Sequence, residues 1–138
     1  MIIATEQRPL YEIKANLFRG LAHPYRIRIL EILSAAAAAA AVSPSTETAE
    51  VSVTQMLVET GLEPSHLSQH LAVLRRDRLV LSERRASTVF YRLAFPEVAE
   101  LLRVARQLLA DVLDASQRQF LSVDSLPVIP SAAPGAGQ

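Results

Sequence analysis

Between Ser65 and Leu93 the chain carries Arg75, Arg76, Arg78, Arg84, Arg85 and Arg92 against only Asp77 and Glu83, a local surplus of four positive charges. Guanidinium groups present a planar fork of donors that suits phosphate oxygens. At the start of this region stand Ser65, His66, Ser68 and Gln69, whose short hydroxyl, imidazole and amide groups can approach phosphates and base edges. Glutamine can pair bidentately with adenine, which makes Gln69 the candidate for reading sequence. Arg75, Arg76, Arg84 and Arg85 are the candidates for holding the backbone of a nucleic acid. The whole chain has a formal net charge of zero, which argues against indiscriminate polyanion binding, so it is the distribution of charge that matters. The stretch from Ser34 to Glu63 supplies the balance, with Glu47, Glu50, Glu59 and Glu63 and no base.

Other chemistries are poorly served. There is no cysteine, which excludes disulfides, thiolate metal sites, thiol redox switching and cysteine nucleophiles. No glycine-rich phosphate loop, histidine–carboxylate pair at catalytic spacing or serine nucleophile motif is present, so no enzymatic reading is supported. Of the three histidines, His23 precedes a proline and suits a helix start. His70 borders an apolar helix face and suits a hydrogen-bonded structural role, and His66 points outward. No apolar run reaches the length of a membrane span, and the charged N-terminal residues suit neither a signal peptide nor an anchor, which predicts a cytoplasmic protein that does not engage membranes.

The elements that must position these residues follow from apolar spacing. At 138 residues, half of them hydrophobic and a fifth charged, the chain has the size and composition of one soluble globular domain. Leu10, Ile13, Leu17 and Leu21 form the stripe of a first helix from about Leu10 to Gly20, with Gly20 weakening its end. Pro24 opens a second, central helix on Ile27, Leu30, Ile32 and Leu33. That helix runs into seven consecutive alanines, Ala35 to Ala41, expected to extend it by a turn or more. Residues 42–50 turn to Ser, Thr, Pro and Glu and read as a mobile loop. Val51-Ser52-Val53 suits a short strand, with Thr54 capping the helix that follows to Thr60. Gly61 breaks it, and a further helix over about Pro64 to Asp77 puts Leu67, Leu71 and Leu74 on one face and Ser65, Gln69, Ala72 and Arg76 on the other. Leu79–Leu81 and Val89–Tyr91 read as strands flanking a basic loop, Glu83 to Ser87. Pro96 opens a last helix whose stripe of Leu101, Leu102, Ala105, Leu108, Leu109 and Val112 continues toward Phe120. The fold expected is mainly α with a small β-hairpin, a winged helix-turn-helix over residues 1–126, followed by a disordered tail at 127–138.

Three stretches in this order and spacing resemble the ArsR/SmtB family of bacterial winged-helix repressors: Leu21 to Leu30, Gly61 to Leu74, and the hairpin ending Val89-Phe90-Tyr91-Arg92-Leu93. The resemblance covers roughly Tyr11 to Phe120. It implies an elongated homodimer that sets two recognition helices into successive major grooves of a palindromic operator on double-stranded DNA. The interface residues expected are Leu10, Ile13 and Leu17 with Leu101, Leu102, Ala105, Leu108, Leu109 and Val112. Many family members carry metal-binding cysteines where this chain has Ser52 and Thr54, and others use aspartate–histidine pairs on the last helix, where this chain has Asp111 and Asp114 but no histidine. Two carboxylates three residues apart more often form a solvated acidic edge, because transition-metal sites recruit imidazole. No cofactor is therefore assigned. Nickel or zinc as an effector stays open only through a noncysteine site built on the amino group of Met1, His23 or carboxylates.

The Ala-rich and acidic segment at about residues 35–50 departs from the family pattern. It reads either as a tolerated surface insertion or as a segment that recruits an accessory protein or modulates the approach to DNA. The competing reading of the whole chain is a winged-helix protein-interaction module without DNA binding.

Overall fold

The computed structural model describes residues 8–43 and 49–124, with side chains through residue 119. The order of elements is α1 (Leu10–Leu21), α2 (Pro24–Val42), β1 (Val51–Ser52), α3 (Val53–Thr60), α4 (Pro64–Arg76), β2 (Val80–Arg85), β3 (Thr88–Leu93) and α5 (Pro96–Asp124). The expected tail, residues 44–48 of the acidic loop and the side chain of Phe120 lie outside the described residues.

Each start and stop has a local cause. Pro24 occupies the first turn of α2, and the His23 side chain caps that helix by accepting the Tyr25 N–H at 3.1 Å. The alanines do extend α2, which continues without a break to Val42. Gly20 does not end α1. The helix continues to Leu21, and Gly20 allows the Asp77 carboxylate to lie close, because a Cβ there would collide with that carboxylate and displace it. Thr54 is not the cap of α3. Ser52 is, accepting the Gln55 N–H at 3.1 Å, so Val53 belongs to the helix and the strand is two residues long. Gly61, at φ 72°, ends α3 in the left-handed region that a side chain disfavours.

The apolar periodicity of α4 holds. Leu67, Leu71 and Leu74 are at most 2% exposed and pack with Ile29, Leu30 and Leu33 of α2, which are fully buried. Leu79 N–H bonds the Leu74 carbonyl at 2.9 Å and Arg78 N–H the Arg75 carbonyl at 3.0 Å, a Schellman closure with Arg78 in the left-handed position at φ 62°. An arginine sits where glycine is usual, and both apolar members of the closure, Leu74 and Leu79, are buried.

The sheet is antiparallel in the order β1-β3-β2. β2 runs on to Arg85 and β3 starts at Thr88, so the turn is only Ala86-Ser87; the predicted basic loop is largely strand. Charged residues took the strand conformation because the ladder continues through Glu83↔Phe90 and Arg84↔Val89. Val80, Tyr91 and Val51 fall on one buried face of the sheet.

The chain divides into two compact units: residues 1–102, which hold the core and the sheet, and residues 103–138. In the first unit Val98 is buried and Leu101 and Leu102 pack in part against the core, so these two leucines serve the protomer's own interior. In the second, α5 continues with Val104, Leu108, Leu109, Val112 and Leu113 between 46% and 61% exposed. No helix among the described residues is long and apolar enough to cross a membrane.

The left-handed Arg78 carries steric strain that glycine would not, at about 1–2 kcal/mol for a side chain in this conformation. Glycine's added freedom in the unfolded chain offsets about half of that gain. Arg78→Gly is expected to stabilise the protein by roughly 0.5–1 kcal/mol, read as a raised thermal midpoint; a lowered midpoint would show that the Arg78 side chain contributes more than its backbone costs.

Candidate nucleic-acid interface

The buried leucines of α4 fix which of its residues face solvent. At about 3.6 residues per turn, Ser65, Gln69 and Arg76 lie opposite Leu67, Leu71 and Leu74, and all three are exposed. Ser68, Ala72 and Arg75 lie on the flank turned toward the hairpin. They line a cleft of 420 Å³ with Val53 and Thr54 at the start of α3 and Ser87, Thr88, Val89 and Tyr91 of the wing. Sequence reasoning placed Ser68 and Arg75 on this surface and Ala72 on the exposed side of the helix but missed Ser87 and Thr88, whose small, uncharged side chains carry no signal until the turn brings them opposite α4. The helix starts at Glu63-Pro64 with no side-chain cap. Its first amides, including those of Ser65 and His66, therefore meet no internal acceptor side chain there, an arrangement suited to an anionic oxygen.

Two neighbouring arginines of the wing part company. Cross-strand pairing puts Arg84 opposite Val89 and on the face of Tyr91, two of the four wing residues that border the cleft. Arg85, one residue on, belongs to the other face with Phe90 and Glu83. There its guanidinium donates to both Glu50 carboxylate oxygens, at 2.8 and 3.1 Å, lies 3.4 Å from Glu83, and stacks over the Phe90 ring at 4.0 Å. Hydrogen bonds from Arg85 hold the Glu50 carboxyl below the ordinary carboxylate range, with the charges of Arg85 and Arg92 adding to the effect against the opposing cost of partial burial. Arg76 lies 3.6 Å from Asp77 and is largely solvated, a weak pairing. Arg75 and Arg84 make no ion pair with any of the described residues.

Behind α4 a polar hinge joins three helices. Arg26 Nε donates to the Gly20 carbonyl near the end of α1 at 2.6 Å, and its Nη1 stands 3.4 Å from His70 Nδ1 on α4. A guanidinium has only donors, so this contact favours the neutral His70 tautomer that accepts at Nδ1. The His70 ring lies 4.4 Å from the ring of His23, centroid to centroid, with Tyr25 at 5.8 Å. The structural role expected of His70 and the helix-start role of His23 both hold. His66 is exposed. No group of three or more His, Asp or Glu among the described residues is arranged to hold a metal ion, and Asp111 is occupied with Gln107 and Asp114 with Arg118.

No family model matches the chain. It is 45% identical over 108 residues to the HTH-type transcriptional regulator Rv0081 of Mycobacterium tuberculosis, an alignment covering 78% of this chain and 84% of that protein. The crystal structure of Rv0081 superposes with a TM-score of 0.66 at 43% identity, over 80% of this chain and 98% of that one. A biofilm growth-associated repressor of Xylella fastidiosa is 31% identical over 88 residues, 64% of this chain and 66% of that one. A solution structure from Mycobacterium bovis, described as a homodimeric winged helix-turn-helix DNA-binding domain and a possible ArsR-family regulator, shares the fold with a TM-score of 0.61 at 24% identity, over 77% of this chain and 86% of that one.

Burial, then the positive neighbours His23, Arg26 and His66, lower the pKa of His70 from its usual 6.5. A depressed histidine contributes stability that is fully present above 6.5 and is lost as pH falls through the lower folded value. Thermal midpoints measured from pH 7.5 downward are therefore expected to drop more steeply below about pH 6.5 in the wild type than in His70→Gln. Parallel curves would remove His70 from the acid response.

Proposed function

The chain belongs to the HTH-type transcriptional regulators and is a DNA-binding regulator of transcription; from that premise we propose that it works as a homodimeric repressor of the ArsR/SmtB type on a palindromic operator. The observation that carries the DNA contact is the exposed face of α4, where Ser65, Gln69 and Arg76 stand opposite the buried leucines beside a cleft edged by Arg75 and the wing. In this reading Gln69 reads a base, Ser65, His66 and Ser68 approach the nearby sugar-phosphate or base edges, and Arg75, Arg76 and Arg84 hold phosphates. The repressor assignment draws on the sequence resemblance and on the Xylella relative. The role is non-enzymatic, as in the regulators it resembles.

Homodimerisation uses Leu10, Ile13 and Leu17 of α1 and Ala105, Leu108, Leu109 and Val112 of α5. Leu10 on α1 and Leu108 and Leu109 on α5 are each more than half exposed in the single chain, and exposed apolar side chains on a helix face favour burial against another surface. The same exposed stripe is what favours the second reading, a protein-interaction module without DNA binding. Nuclease protection of the DNA upstream of its own coding sequence separates the two, since such a module leaves no footprint. Nickel or zinc as the effector has the sequence resemblance as its sole support.

On an operator so located, Gln69→Ala is expected to lose about 1–3 kcal/mol of discrimination between the preferred sequence and one altered at the contacted base, while binding to arbitrary duplex changes little. Arg84→Ala is expected to weaken all duplexes and to reduce the slope of log affinity against log salt by about 0.9 for each phosphate released. Fluorescence anisotropy at several salt concentrations measures both. Retained discrimination in the first variant would take Gln69 out of base readout.

Replacing Leu108 and Leu109 together by Glu is expected to give a folded monomer by sedimentation, with DNA affinity reduced by the loss of two-site binding. A dimer that persists would move the interface elsewhere.

A further inference from the structure

The acidic segment before β1 has no counterpart in the function so far, yet its last residue, Glu50, makes the most completely paired charge contact on the wing. Its carboxylate receives two hydrogen bonds from Arg85, and its side chain is only 15% exposed. Glu50 directly precedes β1, so the pairing of Val51 with Tyr91 and Ser52 with Phe90 holds its backbone beside the wing. A carboxylate whose backbone adjoins a paired strand loses less freedom on binding, which favours the pair over one between two free side chains. Phe90 supports the guanidinium from beneath at 4.0 Å. A bidentate carboxylate and a bidentate phosphate use the same fork of N–H donors.

We propose that Glu50 is an internal phosphate mimic, which occupies the Arg85 fork in the free protein and withholds that arginine from DNA. The wing then meets the nucleic acid through Arg84, on the opposite face of the strand, and Glu50 sets an upper limit on non-specific affinity. Arg92 and Glu83 are the other charged groups near the pair. Arg92 adds favourable charge toward Glu50, whereas Glu83, with its side chain 61% exposed, is a solvated neighbour that holds Arg85 less firmly. This inference deepens the DNA-binding reading and rests on it.

The test uses the full chain and a fluorescein-labelled duplex of arbitrary sequence, because counterion release counts phosphate contacts without knowledge of the operator. Glu50→Gln keeps the shape of the side chain and removes its charge. The expected result is tighter binding at low salt and a salt slope steeper by about 0.9 for each wing that gains a phosphate. Arg85→Ala leaves the wild-type slope unchanged, and the Glu50→Gln, Arg85→Ala double variant returns to it. A purely structural role for the pair would alter thermal midpoints in both single variants without steepening the slope. An unchanged slope in Glu50→Gln, or a reduced slope in Arg85→Ala alone, overturns the proposal. Absence of salt-dependent binding by the wild type overturns the DNA-binding reading itself, and the two failures are thereby distinguished.

Discussion

The contact on which the rest depends is the leucine face of α4 against α2. Leu67, Leu71 and Leu74 bury themselves on Ile29, Leu30 and Leu33, each leucine contributing on the order of 1.5–3 kcal/mol relative to exposure. That burial leaves α4 no rotational freedom about its axis. With one face committed to the core, Ser65, Gln69 and Arg76 must stand in solvent, and the flank with Ser68, Ala72 and Arg75 must look toward the wing. The functional surface is thus a consequence of core packing and not a separate construction.

Polar contacts then set where α4 lies along its length. The Schellman closure at Arg75–Leu79 ends it in a tight hand-over to β2, and Asp77 at that end sits against Gly20 of α1, where no larger residue fits without displacing it. On the other flank Arg26 links the Gly20 carbonyl to His70. α1, α2 and α4 therefore meet through one arginine, one histidine and one glycine. This arrangement favours the neutral form of His70, since a proton on Nδ1 would face the Arg26 guanidinium.

The wing illustrates how strand parity divides adjacent residues. Arg84 and Arg85 are neighbours in the chain and equal in charge, yet the alternation of a strand sends them to opposite faces. Arg84 shares a face with Val89 and Tyr91 at the cleft, while Arg85, 46% exposed, contacts Glu50, Glu83 and Phe90. A surplus of arginines counted along a sequence therefore overstates the charge offered to a ligand. The acidic and basic stretches, which look segregated in the sequence, meet in the fold, and part of the expected basic face is neutralised from within.

Sequence alone determined the helices, their apolar faces and the polar side of α4, because helical period and the punctuation by Pro24, Gly61 and Pro64 are local properties of the chain. It also placed His23 at a helix start and the alanine run within a helix, for the same reason. Tertiary structure decided the matters that depend on pairing between distant residues. Those are the extension of β2 through Arg85, where ladder bonds to β3 outweigh the loop-like composition, the cap at Ser52 in place of Thr54, which follows from where β1 stops pairing, and the tolerance of Gly20 within α1, which reflects Asp77 far along the chain. The partnership of Glu50 with Arg85 spans 35 residues, and no local pattern encodes a contact of that range. Periodicity reports which face a residue occupies; only the assembled sheet reports what stands opposite it.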